Sequence, residues 1–322
     1  MRRILGNLLG EADLARRRTS PPRSVLEKAS KMATLLRVFV CEGDRLWLPA
    51  AVDPESIPEI PGLPRPILES GPLRALPSVD EVLAWCETPE AAAHRVQPRD
   101  PSQAAGDAPL HEILWRLPVP SPSVVARVHH RAFCLQIAKD LGCALPGARM
   151  VESMTDLDRT DVTGWVVKAP LSAAGRDRHI ERAGFSDPKA RRTVERLFER
   201  HGPLLFEPWM DRMADYGVSA LLTPEGTRIV GVHRQRVDRK GQFGGIDLSS
   251  PISPEIRDRL TETALTVGEA LRREGYVGPF GIDAWEYRRE DGATVLHPLG
   301  EINARMTFGL VAWAMFSRLR EG

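Results

Sequence analysis

Five residues near the C-terminus, Glu301-Ile302-Asn303-Ala304-Arg305, constrain this chain more than any other stretch. Side chains two apart on a strand share a face, so Glu301, Asn303 and Arg305 project together while Ile302, Ala304 and Met306 point the opposite way. Asn beside Glu has weak strand propensity and little to pack against, so structure alone would rarely select such a polar face. A solvated edge strand is the competing reading, and it weakens when the upstream sequence is added. Phe280-Gly281-Ile282-Asp283-Ala284 places one carboxylate in an apolar run, and Asp291-Gly292 supplies a left-handed turn between strands expected over 281–287 and 293–297. If those arms pair, Asp283, Glu301 and Asn303 converge as hard oxygen donors, the set that suits Mg²⁺ held jointly with phosphates, and Arg305 faces the group being transferred.

The 322 residues carry 44 Lys and Arg against 43 Asp and Glu, and the net charge of +1 removes any global electrostatic case for nucleic acid or an anionic membrane. The longest apolar run, Leu310 to Phe316, falls far short of the ~20 residues that a membrane-crossing helix needs. Met1 to Gly10 has too short an apolar centre for a signal peptide, with Glu11 and Asp13 directly behind it, and reads as a first strand and turn. Cys41, Cys86, Cys134 and Cys143 are scattered without C-x-x-C spacing, so buried thiols in a reducing, cytoplasmic compartment are expected.

This length suggests two or three domains. The polar stretch 97–108 and the prolines Pro118, Pro120 and Pro122 place a boundary near residue 120. In the first, Arg16 to Arg23 reads as a solvated loop, Val38 to Ala51 as two short strands, Pro54 to Pro77 as mostly loop and Asp80 to Trp85 as a short helix. Ser123 is the expected cap of one amphipathic helix running to Leu141-Gly142, and Trp165 to Lys168 reads as a strand. Asp187-Pro188 starts a helix that Gly202 stops. Strands are expected at Phe206-Glu207, Val218 to Leu222 and Arg228 to Val237, and a long helix from Ser253-Pro254 to Gly275.

Lys168 ends an apolar strand and precedes the small-residue loop 169–176; either the loop's backbone N–H groups approach an anion that the lysine also reaches, or the strand-end lysine is simply solvated. Phe206-Glu207-Pro208-Trp209-Met210 reads either as ordinary core or as a hinge whose backbone meets a purine edge while Glu207 or Asp215 accepts from ribose hydroxyls. Arg234 and Arg236 share a face and suit a substrate carboxylate, or simply form a basic edge. Residues 241–245 form a flap or a plain turn.

Taken in order, Arg131 near a helix start, the Lys168 strand and loop, the Glu207 hinge, Gly281-Ile282-Asp283 and the E-x-N-x-R ending resemble the ATP-grasp superfamily over about Val124 to Val311. The resemblance implies an α+β / α/β fold in which two α+β subdomains, 121–203 and 204–322, clamp ATP behind a small α/β N-terminal domain, 1–120. It further implies Arg131 and Lys168 on the phosphates, with Ser172 and Gly175 in the loop over them. Glu207, Met210 and Asp215 would lie at adenine and ribose, Asp283, Glu301 and Asn303 on Mg²⁺, and Arg305 at the phosphoryl group. Such enzymes mostly phosphorylate a small carboxylate and let an amine attack the acyl-phosphate. A kinase acting on a hydroxyl and a non-catalytic nucleotide-binding module are the alternatives. The loop has one glycine between Ser172 and Gly175 where members often carry several, and Asp215 stands where glutamate is frequent.

Overall fold

The protein was analysed as a computed structural model that describes residues 2–15, 21–77, 79–95, 108–159, 162, 164–172, 177–182, 185, 187–238 and 243–321. Arg16 to Ser20 and Gly175 therefore lie outside the described residues.

The N-terminal part is built on a fully parallel sheet. Its first strand, β1 (Arg2–Leu5), leads into α1 (Gly10–Leu14) and α2 (Arg23–Ala33), followed by β2 (Arg45–Leu48), β3 (Ile67–Ser70), β4 (Glu81–Ala84) and α3 (Pro89–Ala93). The strand order is β3-β2-β1-β4. Two expectations change here. Residues 80–85 form a strand rather than a helix, because Val82, Leu83 and Ala84 are buried together between two layers, and a short apolar run covered on both faces carries no periodicity to separate the two forms. Residues 34–39 are a 3₁₀ turn continuing α2, so only the second of the two strands expected over 38–51 exists. The proline-rich stretch also holds β3, which starts directly behind Pro66 on the sheet edge, where a missing donor costs nothing.

Next come α4 (Leu110–Arg116), α5 (Pro122–Val128) and α6 (Arg131–Asp140). The single helix expected from Ser123 is two. Ser121 caps α5, accepting from the Val124 N–H at 3.3 Å, and His130 Nδ1 caps α6, accepting from the Ala132 N–H at 3.1 Å. The break puts Arg131 at the first turn of α6, with its own N–H on the Pro170 carbonyl at 3.0 Å. An antiparallel sheet follows, built from β5 (Arg149–Val151), β6 (Trp165–Lys168), β7 (Arg178–Glu181) and β8 (Leu204–Pro208) in the order β5-β8-β6-β7. Helices α7 (Met154–Asp158) and α8 (Pro188–His201) accompany it, with Asp187 capping α8 and Gly202 ending it as expected. Trp165, Val167, Val194, Leu197 and Phe206 give this unit its own small core.

The last sheet is antiparallel, in the order β11-β10-β9-β12-β13, from β9 (Asp211–Thr223), β10 (Gly226–Val237), β11 (Phe243–Asp247), β12 (Gly278–Arg288) and β13 (Thr294–Asn303). Tyr216, Val218, Ala220 and Leu222 share a core with Leu260, Ala264, Val267 and Leu271 of α9 (Pro254–Arg273). The alternate residues Asp215, Gly217 and Ser219 point to the other face. That same core runs on into Ile4, Leu46 and Leu83 of the N-terminal sheet, and α10 (Phe308–Glu321) closes the chain. The expected hairpin is present and longer than its sequence signals, with Gly292 at φ 84° in the turn. No helix among the described residues is long and apolar enough to cross a membrane.

Candidate functional site

The hairpin register sets the centre of the site. Asp283 on β12 pairs directly with Glu301 on β13, and Gly281 with Asn303. Asn303 donates its amide Nδ2 to Asp283 Oδ2 at 3.1 Å, so the three oxygen-bearing side chains expected to converge do so. Beyond Asp283 the register slips, because β13 spends the extra residues Pro298 to Gly300 in a bulge before His297 meets Trp285. A Cβ on Gly300 would stand 1.8 Å from the Trp285 ring, so only glycine admits the indole here.

Cations gather around this centre. Arg131 Nη1 lies 2.9 Å from Glu301 Oε1, while its Nε donates to the Ala169 carbonyl at 2.9 Å and its Nη2 to Ser172 Oγ at 3.3 Å. One buried guanidinium therefore ties the small-residue loop to the carboxylate centre. Lys168 Nζ sits 2.5 Å from Glu207 Oε2, and both side chains are buried. Arg305 donates Nη2 to Asn303 Oδ1 at 2.9 Å, Nη1 to the Met306 carbonyl at 2.9 Å and Nε to Glu11. Arg212 pairs with Asp215 at 3.0 Å and lies over the Trp285 ring at 3.7 Å. Met210 packs in the small cluster holding Leu205 and Trp285.

The protonation states follow from this packing. Burial, then the facing Glu301 charge, pushes the Asp283 carboxyl above the usual range, against the hydrogen bonds from Gln235 and Asn303. Burial works the same way on Glu207, but the charge and hydrogen bond of Lys168, joined by His297 and Arg131, hold that carboxyl below its ordinary value. Asp215 is raised by burial in spite of Arg212. Burial lowers the Arg178 guanidinium, and the charges of Arg212 and Arg131 lower it further. His297 is lowered to about 4 by burial, opposed by Glu207.

Arg234 and Arg236 do share a face, but it is the face away from Asp283. Arg234 Nε donates to the Pro251 carbonyl at 3.2 Å and its guanidinium lies over Tyr216, whereas Arg236 pairs with Asp247 at 3.6 Å. The residue between them, Gln235, is the one that turns to the site, donating Nε2 to Asp283 Oδ1 at 2.8 Å. Strand alternation from Asp283 through β9 to β10 would have found it. Arg178 was also missed; it pairs in register with Lys168, and its position depends on a β6–β7 hairpin for which the sequence carries only weak signals. Glu11 offered no signal at all.

These three sheets define a recognisable class, shared with solved structures: the chain has the ATP-grasp fold. No family model matches it, and no curated protein matches it in sequence. Solved structures do. A carboxyaminoimidazole ribonucleotide synthase from Aspergillus clavatus, complexed with ATP, aligns with TM-score 0.55 and 13% identity over 95% of this chain and 70% of that one. An N5-carboxyaminoimidazole synthetase from Staphylococcus aureus, complexed with ADP, aligns with TM-score 0.52 and 11% identity over 95% and 70%. An L-amino acid ligase from Bacillus licheniformis aligns with TM-score 0.51 and 14% identity over 94% and 66%. At these identities the likeness is one of fold.

Proposed function

We propose that this chain is an ATP- and Mg²⁺-dependent ligase that activates a small carboxylate as an acyl-phosphate for attack by an amine, giving ADP and phosphate. The observation that carries the reading is the facing pair Asp283 and Glu301, with Asn303 beside them, Arg131 on Glu301 and Arg305 on Asn303. The two carboxylates repel, which is part of what raises Asp283, and a divalent cation between them relieves that repulsion. The donors are all oxygen. Among the described residues no group of three or more His, Cys, Asp or Glu could hold a metal, so a cation at this pair takes its further ligands from outside the chain, as Mg²⁺ does from phosphates and water. Asp283, Glu301 and Asn303 would hold it, and it would supply neutralisation of the phosphate charge.

The chain's own side chains supply the rest. Lys168 and Arg131 hold the phosphates together with Ser172, and Arg178 adds a third cation from the neighbouring strand. Glu207, Met210 and Asp215 line the nucleoside end, and Arg305 stabilises the charge on the transferred group. Catalysis of this kind needs positioning and electrostatic stabilisation, and no protein nucleophile. Residues 121–203 and 204–322 act as the two halves that close on ATP, 1–120 carries substrate selection, and the enzyme works in the cytoplasm. The nucleotide-bound neighbours and the one named as an amino acid ligase support the same reading.

The test is a screen of ADP release over amino acids, dipeptides and other small carboxylates, each with an amine. Isotope transfer then decides the chemistry. An ¹⁸O-enriched carboxylate that attacks the γ-phosphorus gives one heavy oxygen to the phosphate when the amine displaces it. Heavy oxygen in AMP would mean an acyl-adenylate, and a phosphorylated product with unlabelled phosphate would mean a kinase; either result overturns the ligase reading.

A further inference from the structure

Arg305 is held by a residue from the far end of the chain. Its Nε donates to Oε1 of Glu11, across 294 positions of sequence. The Glu11 side chain is 1% exposed and that of Arg305 12%. Exchanging water for an ion pair this deep is a poor way to gain stability, since the desolvation cost is comparable to the attraction. The pair is also incompletely satisfied. Among the described residues Glu11 Oε2 is buried with no hydrogen-bond partner, and so is Nε2 of His129, 4.0 Å from Glu11 Oε1.

The placement of Glu11 is enforced by contacts on both sides. It sits in α1, just beyond the carboxyl end of β1, and Asn7 in that connection grips the exit of β4: its Nδ2 donates to the Cys86 carbonyl at 2.7 Å and its Oδ1 accepts from the Cys86 N–H at 3.2 Å. Gly10, the first residue of α1, lies so close that a Cβ there would be 2.9 Å from the Cys86 Cβ. The same exit of β4 then holds the Arg305 segment, because the Met306 N–H donates to the Trp85 carbonyl at 3.0 Å and the guanidinium lies over the Trp85 ring at 5.4 Å. From the other direction, His129 Nδ1 accepts from the Ala304 N–H at 3.1 Å. Backbone on both sides of Arg305 is thus anchored, and Glu11 and Asn303 fix the guanidinium itself.

We infer that Glu11 is a positioning residue for Arg305. A guanidinium has five N–H donors in a rigid fork. Glu11, Met306 and Asn303 take three of them, leaving two on the terminal nitrogens for an incoming anion. The inference rests on the proposed role of Arg305 at the transferred phosphoryl group. Through this contact the N-terminal unit sets the direction of a side chain whose own element belongs to the last sheet.

The test has two arms. In the first, Glu11→Gln, which keeps shape and an acceptor but loses the charge, is assayed by ADP release with the best substrate from the screen. Positioning predicts a fall of roughly ten-fold or more in kcat with ATP KM within about two-fold, and no further loss when Glu11→Gln is added to Arg305→Ala. A normal kcat, or a full additional loss in the Arg305→Ala background, overturns the inference. The second arm needs no turnover and no variant of Glu11. In protein carrying ¹⁵N-arginine, with the Arg305 signal assigned by its loss in Arg305→Lys, the Nε–H should exchange with water far more slowly than that of exposed Arg23. Equal exchange overturns the inference. A wild-type protein that releases no ADP on any substrate while its Arg305 Nε–H is protected would reject the ligase reading and leave the contact standing.

Discussion

Gln235 reaches Asp283 across a strand that carries no side chain in between. β10 and β12 both flank β9, and Asp283 is in register with Gly217 of that central strand. A Cβ on Gly217 would stand 2.6 Å from Gln235 Nε2 and 2.5 Å from His233 Nε2, so glycine is what leaves room for the 2.8 Å hydrogen bond from Gln235 to the Asp283 carboxylate. Without that bond Asp283 loses one of the two hydrogen bonds that favour its ionised form.

Gly217→Ala should therefore act as a metal-site mutation although it touches no ligand. The added methyl must displace Gln235 or His233, at an overpacking cost of about 1–3 kcal/mol. The Mg²⁺ concentration for half-maximal ADP release should rise several-fold, and Gln235→Ala should reproduce that rise with little loss of thermal stability. Identical Mg²⁺ titrations for wild type and both variants would show that the bridge is dispensable.

Lys168 is expected to have two effects that its position in the sequence did not separate. If Lys168 holds the phosphates as proposed, removing it should take a charge-assisted contact of about 1.5–3 kcal/mol from the nucleotide, a loss of roughly ten-fold or more in ATP affinity. It also strands Glu207, whose carboxylate stays buried with its ion-pair partner gone, and breaking a buried pair costs about 3–5 kcal/mol. Lys168→Ala should thus melt well below wild type, and Lys168→Ala with Glu207→Gln should recover much of the melting temperature without recovering ATP affinity in calorimetry. A single variant as stable as wild type would mean that Glu207 finds another partner.

The parts of this site that could be read from sequence are those joined by short range. Asp283 and Glu301 lie on one hairpin with an Asp-Gly turn, so strand parity puts them on one face, while the bulge over Pro298 to Gly300 that sets them directly opposite has no sequence signal; Lys168 closes an apolar strand whose end is visible in the residues that follow. Arg234 and Arg236 have the opposite parity to Asp283, and the neutral Gln235 between them, which charge gives no reason to single out, is the residue that reaches it. Residues 80–85 misled for a different reason, since a run buried on both faces has no period. Glu11 was out of reach altogether, because its partner Arg305 is set by how the first parallel sheet docks on the last antiparallel one, which no local pattern encodes.

The carboxylate pair gives the most direct check on the metal. Asp283→Asn and Glu301→Gln each preserve volume while deleting an anionic donor, so ADP release should collapse at limiting Mg²⁺ while the fold persists. The two should differ in one respect. Glu301 also engages Arg131, which in turn holds Ala169 and Ser172, so Glu301→Gln should additionally weaken ATP binding, whereas Asp283→Asn should leave binding of the metal-free nucleotide near wild type. Normal turnover by either variant at limiting Mg²⁺ would make that residue structural.

Acid sensitivity should come from buried histidines rather than from the site's carboxylates. His233 and His297 are each 3% exposed, and burial lowers both to about 4, with a backbone contact at Gly231 opposing it for His233 and Glu207 opposing it for His297. In the unfolded chain an imidazole titrates near 6.5. Between about pH 6.5 and pH 4 the unfolded state therefore binds more protons than the native state, so stability rises with pH across that window. The contribution is fully present above the unfolded value and is lost as pH falls towards the folded one, at up to about 1.4 kcal/mol per pH unit for each histidine. Melting temperature should accordingly be flat above pH 7 and drop steeply on acidification to pH 4. His297→Leu removes one titrating group but keeps an apolar side chain against Trp285, so its melting curve should start lower at pH 7 and fall less steeply. If wild type and His297→Leu lose stability in parallel over that range, the proton taken up on acid unfolding is not going to His297.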